Sequence, residues 1–281
     1  MDAVLLCMKK RGIRFFNKIQ FNNTKIQKYH EKKSFLEHLR VNKQNAENVL
    51  IMAHGSNGAI LTTTRNPSHP FTTYISSKDV DAFYNDFVFA VSCLTANEFG
   101  QKCIENGTRT YLGYQIEIGP FFKVSLSNRT QIPKRIINTI DTVVKHIFVE
   151  VLAEAYEDFL MNPISVETFR ELFSFLLEKR ISSLVDINIE TLYREYGIKI
   201  VSRHYEKYIT SIVLYVLSCL NDVLSKLICL GEKSYISPTF VQYYCAKMNY
   251  DKLMLELKNS EDFINASIKN QEEILAIIKD S

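Results

Sequence analysis

The chain contains no tryptophan and no C-x-x-C pair, and its charges nearly cancel: 34 Lys+Arg against 31 Asp+Glu leave a net +3. Each absence narrows the class. A balance this small gives no case for nucleic acid as a direct partner. Six cysteines scattered at 7, 93, 103, 219, 229 and 245 form neither a zinc nor an iron–sulfur framework, so no metal and no other cofactor is expected. They are too sparse in 281 residues for a disulfide scaffold, which fits a reducing, cytoplasmic home. The N-terminal "MDAVLLCMKKRG" puts its apolar run ahead of its charges, the reverse of a secretory signal. Long uninterrupted apolar runs are also missing. "ITSIVLYVLSCLNDVLSKLICL" (209–230) is broken by Asn221, Asp222 and Lys226 and reads as a buried helix, so no membrane partner is expected. There is no internal repeat, no low-complexity linker, no G-K-[ST] phosphate loop and no G-x-S-x-G. Phe99 stands where a tyrosine-phosphatase loop on Cys93 would need arginine.

What is present is apolar bulk: 46% hydrophobic residues, with 18 Phe and 15 Tyr. That suffices for a large core in one big domain or two modest ones. Two textures follow one another. Up to about residue 120, strand-like and helix-like segments alternate. "AVLLCM" (3–8), "IRFFNKIQF" (13–21), "NVLIMA" (48–53), "DFVFAVSC" (86–93) and "TRTYLGYQIEIG" (108–119) read as strands. "AILTTT" and "FTTYIS" flank "RNPSHP" as a hairpin over 59–76. "KYHEKKSFLEHLR" (28–40), "SSKDVDAFY" (76–84) and "ANEFGQKCIENG" (96–107) read as helices, the last closed by Gly107. The alternation predicts an α/β fold, a three-layer sandwich on a mostly parallel sheet. From Pro133 onward the periodicity is helical over 133–161, 165–182, 188–196, 203–230 and 250–280, an all-helical C-terminal region. The division expected is 1–128 and 129–281, with "SLSNRTQIP" (125–133) as the boundary loop.

Two of the buried strands end in chemically loaded residues: "NVLIMA" runs into His54-Gly55, and "FVFAV" into Ser92-Cys93. In an open parallel sheet, sites form at the carboxyl ends of strands. If both strands run parallel, His54 and Cys93 emerge at one edge. An imidazole beside a thiol supplies a base and a nucleophile, and His⁺ lowers the thiol pKa. Gly55 permits a sharp turn, and its N–H, with that of Cys93, would hold an oxyanion. The helix at 96–106 would add positive potential near the sulfur.

A hydrophobic strand ending in His-Gly, followed by one ending in Cys, resembles the caspase-fold cysteine peptidases: caspases, gingipains, separases and the bacterial CHAT-type caspase-like proteins. "FVFAVSCLTANEFGQKCIENGTRTYLGY" (87–114) is similar to the CHAT-type pattern of strand, Ser-Cys, Thr, helix and a Gly-x-x-x-Tyr-hydrophobic-Gly strand. The resemblance covers about residues 1–120. It implies a caspase-like fold, a Cys93/His54 dyad with Gly55 in the catalytic motif, and hydrolysis of peptide bonds in a protein or peptide substrate. By the same analogy the enzyme belongs with regulated bacterial signalling or defence systems, its helical half binding a regulatory protein partner. The chain departs from caspases in lacking Gln-Ala-Cys-x-Gly, and from metacaspases in having Val91 where those carry an acid.

Specificity stays open. In this fold the segment after the nucleophile strand helps to form the primary pocket, here 111–121, so Glu117 could accept a basic side chain. Asp79 or Asp81 could do so from the preceding helix, and an uncharged pocket is an equal alternative. The alternative function is a catalytically inactive caspase-like scaffold acting as a protein-interaction module. A further reading makes 203–230 a membrane-binding helix.

Overall fold

Four five-residue apolar runs build the centre of the molecule. The computed structural model describes residues 2–8, 13–43, 46–64, 66–123, 132–197, 205–245 and 250–280. Its first part contains β1 (Ala3–Cys7), β2 (Ile26–Tyr29), α1 (Lys32–Val41), β3 (Asn48–Met52), β4 (His54–Ser56), β5 (Ala59–Thr63), β6 (Phe71–Ser76), β7 (Phe87–Val91), α2 (Glu98–Glu105) and β8 (Thr110–Tyr114). Its second part contains α3 (Lys134–Met161), α4 (Val166–Ser182), α5 (Ile189–Tyr196), α6 (Tyr205–Ser225), β9 (Leu227–Gly231), α7 (Phe240–Cys245), α8 (Tyr250–Asn259), α9 (Glu261–Asn265) and α10 (Ile268–Asp280). Every residue of β1, β3, β7 and β8 is buried. Such runs form where a parallel sheet is covered on both faces.

The main sheet has the order β2-β1-β3-β7-β8-β9. All neighbours are parallel except β9, which runs antiparallel to β8. Successive side chains point to opposite faces, and the aromatic contacts show what covers each. Phe87 meets Phe159 of α3 at 4.8 Å, and Phe89 meets Phe169 and Phe173 of α4 at 5.5 and 6.0 Å. On the other face Tyr111 meets Phe99 of α2 at 6.1 Å, and Phe99 meets Phe83 at 6.3 Å. Helix, sheet and helix thus form three layers, the α/β sandwich with a mostly parallel sheet that the sequence predicts. β4, β5 and β6 form a separate three-stranded antiparallel sheet.

The C-terminal region is helical, with one correction: it is not all-helical, because Leu227–Gly231 leaves the apolar run after α6 and becomes the edge strand β9. α3, α4 and α6 share one continuous apolar core with the sheet, so the change of texture near residue 128 is not a break in packing. The expected boundary loop, 125–133, lies outside the described residues except for 132 and 133. A second, smaller core of Ile236, Phe240, Leu253, Leu257, Phe263 and Ile274 is made by α7 to α10 and the residues leading into them. It docks at the amino edge of the sheet. The Asn48 amide donates to Ser237 Oγ and Thr239 Oγ1, both at 2.9 Å, and Arg109 pairs with Glu232 at 2.8 Å and Glu273 at 2.6 Å.

Other local expectations shift for physical reasons. Residues 13–21 are not a strand. Ile13, Phe16 and Ile19 are buried at a spacing of three, and Arg14–Lys18 closes as a 3₁₀ turn. The helix expected at 76–84 shortens to a 3₁₀ turn at Val80–Phe83. α3 and α4 span nearly the expected residues, with Pro133 at the start of one and the Ser165 hydroxyl capping the other. Among the described residues α6 is the one helix long and apolar enough to cross a membrane. Its buried side, including Ile212, Val213, Val216 and Leu220, belongs to the shared core.

Candidate functional site

The site begins with register. Met52, the last residue of β3, is the lateral partner of Val91, the last residue of β7. His54 and Cys93 therefore each stand two residues beyond the same rung, at the carboxyl edge of adjacent parallel strands. The sequence expectation that the two strand ends share one edge holds.

Their backbones touch. A Cβ built on Gly55 would lie 2.4 Å from the Cys93 carbonyl oxygen, 2.4 Å from Ser92 Oγ and 2.7 Å from Thr95 Cγ2. Glycine is required here for close approach, which corrects the expectation of a turn. The chain bends at Ala53, and Gly55 sits inside β4, opposite Ile60. Gly55, Ile60 and Ile75 share one face of the small sheet, and Ile60 and Ile75 are fully buried. By strand alternation His54 points to the other face. There its ring packs against Phe71 with centroids 4.8 Å apart.

A second link ties the small sheet to the nucleophile loop. The Asn57 carbonyl, in the β4–β5 turn, accepts from Glu98 N–H at 3.1 Å and Phe99 N–H at 2.6 Å. These are the first free N–H groups of α2. The helix terminus is thus capped by the turn rather than aimed at the sulfur, so the positive potential expected from it is already satisfied. Between Cys93 and α2, Leu94 adopts a left-handed conformation with φ +62°. A non-glycine residue there is held by its surroundings. Leu94 N–H donates to Ile116 O at 3.1 Å, and Ala96 N–H to Tyr114 O at 3.1 Å.

Cys93 is half-buried. Burial pushes its thiol above the ordinary value. The N–H groups of Ile118, Gly119 and Cys93 itself donate toward the sulfur and pull the other way, while the Glu117 carboxylate adds an upward push. The net direction is upward. An activating imidazolium would hold a thiol below its ordinary value, so the expected depression is absent from this resting arrangement.

The remaining predicted residues divide. Glu117 is exposed and close enough to act on the Cys93 sulfur. Asp79 is withdrawn from the site: its carboxylate accepts from Ser76 N–H at 2.9 Å and pairs with Lys32 Nζ at 2.8 Å. It closes the turn after β6 and ties it to α1. Asp81 pairs with Arg40 at 3.4 Å on the surface. Sequence reasoning missed Phe71, for which an exposed strand aromatic gives no signal. It also missed the amides of Ile118 and Gly119, because backbone donors carry no side-chain signature.

A cavity of about 860 Å³ runs between residues 15–23 and α3 and includes neither His54 nor Cys93. Among the described residues no cluster of His, Cys, Asp and Glu could hold a metal ion. Comparison with protein-family models, with curated proteins and with solved structures finds no significant match to this chain.

Proposed function

We infer that this chain is a cysteine endopeptidase of caspase-like type that acts on a protein or peptide substrate. One observation carries the reading: the His54 and Cys93 strand ends lie beyond one rung of adjacent parallel strands, with Gly55 packed against the Cys93 carbonyl. In this reading Cys93 attacks the scissile carbonyl. His54 takes the thiol proton and returns it to the leaving amine. The N–H groups of Gly55 and Cys93 stabilise the tetrahedral oxyanion. Glu117, whose charge acts on the Cys93 thiol, is the candidate for recognising a basic side chain. The helical region, whose α7–α10 unit docks at the amino edge of the sheet, is the part that binds a regulatory protein partner. A cytoplasmic setting is supported by six free cysteines, none joined in a disulfide.

The second reading, a catalytically inactive scaffold, is favoured by the upward push on the Cys93 thiol. A peptidyl acyloxymethyl ketone separates the two. The enzyme predicts stoichiometric modification of Cys93 ahead of Cys245, the exposed cysteine. Modification of Cys245 first, with Cys93 untouched, supports the scaffold.

A further inference from the structure

The strand β8 ends at Tyr114, and the chain then folds back over the nucleophile. Gln115 N–H donates to Lys226 O at 3.0 Å, and the Asn97 amide donates to Gln115 O at 3.2 Å. Ile116 O receives Leu94 N–H at 3.1 Å, which ties the segment to the residue after Cys93, and the amides of Ile118 and Gly119 act on the Cys93 thiol. Ile118 is buried although Glu117 and Gly119 on either side are exposed. A turn follows, closed by Phe122 N–H to Gly119 O at 3.1 Å.

The far end of this segment is fastened by aromatic packing. Phe121 and Phe122 are buried, and both pack on Phe148 of α3, with centroids 6.0 and 4.8 Å apart. Phe122 also meets Phe15 at 4.9 Å and Phe16 at 6.0 Å. The anchor is not sealed, because Phe15 also lines the 860 Å³ cavity along α3.

We propose that Gln115–Lys123 is an autoinhibitory strap: Gln115 and Ile116 tie it across the Cys93 loop through Asn97 and Leu94, and Phe121 and Phe122 hold it shut on the α3 face. The proposal deepens the peptidase reading by naming how that site is regulated. In the peptidase reading an extended substrate reaches Cys93 along the edge where this segment lies, so the strap must lift before acylation.

The test reads exposure, not catalysis. Full-length wild type, Phe122→Ala and Gly119→Pro are treated with iodoacetamide, and the modification of each cysteine is followed by peptide mass spectrometry. Phe122→Ala removes the anchor. Gly119→Pro removes one donor at a position where a Cβ meets nothing within 4 Å. Buried Cys103 and Cys229 report whether each variant is folded. The strap predicts that Cys93 modification accelerates about tenfold or more in both variants, while Cys103 and Cys229 stay protected. An unchanged Cys93 rate in a variant whose buried cysteines remain protected overturns it. Iodoacetamide is indifferent to peptide cleavage, so a failed strap leaves the peptidase reading standing, and a chain that never cleaves peptides can still show the strap.

Discussion

Replacing Cys93 with alanine is expected to lower kcat/KM for peptide cleavage by about 10⁴-fold or more, with the fold intact. The attacking atom is lost outright, and no other cysteine can substitute. Cys7, Cys103 and Cys229 are buried, Cys219 is half-buried on α6, and Cys245 lies on α7, in the unit docked at the opposite edge of the sheet. The thermal midpoint should barely move, because a half-buried thiol gives up little packing, about 1 kcal/mol or less. The measurement compares wild type and Cys93→Ala on one panel of quenched fluorogenic peptides, with melting curves alongside. Equal cleavage by both proteins would remove Cys93 from the chemistry.

The second large effect is expected at Gly55. Alanine there puts a methyl group 2.4 Å from the Cys93 carbonyl oxygen and 2.4 Å from Ser92 Oγ. The carbonyl cannot yield cheaply. It precedes Leu94, already at φ +62°, and that residue is tied to Ile116. Overpacking of this kind costs about 2–3 kcal/mol, or roughly 5–10 °C in Tm for a chain of this size. The site should suffer with the fold, because the atoms that move carry the nucleophile. Gly58→Ala, in the β4–β5 turn, is the control. Its nearest neighbour is the flexible end of Glu98, at 3.3 Å, and its Tm should stay near wild type. Gly55→Ala melting with wild type would mean that β4 and the Cys93 loop are not in contact.

Much of this framework is legible in the sequence, and the exceptions have physical causes. β3 and β7 stand out because a strand buried on both faces carries a near-continuous apolar run, Val49–Met52 and Phe87–Val91. α3 and α4 stand out because long helices repeat their apolar residues at i, i+3 and i+4. β2 does not, because only its ends pack: Gln27 and Lys28 are exposed on a short edge strand. β9 hides within 209–230, since an apolar run suits a buried helix and a buried strand equally, and only Lys226 marks the change. Arg14–Lys18 passes for a strand until the spacing of Ile13, Phe16 and Ile19 is counted as three. At the site, His54, Gly55 and Cys93 are legible as types, but the reason for Gly55 is not. A close approach depends on where another strand ends, and β4 is three residues of which one is a poor strand former. The strap is invisible for the same reason: its working atoms are backbone amides, which every sequence has. Asp79 reads as an isolated acid in the sequence, whereas in the fold Lys32 and Ser76 hold its carboxylate away from the site.

The central claim is that His54 serves Cys93 as its base, and the pH dependence of Cys93 modification by a peptidyl acyloxymethyl ketone tests it most directly. Burial raises the thiol in the resting protein. Without a base, then, the thiolate is scarce at neutral pH, and the rate should climb about tenfold per pH unit until the thiol titrates. With His54 as base, wild type should react near pH 7 about 10²-fold faster than His54→Ala, the gap closing as pH rises toward the thiol's own titration. Superimposable pH profiles for wild type and His54→Ala would contradict the account and leave His54 as a residue that merely begins a strand.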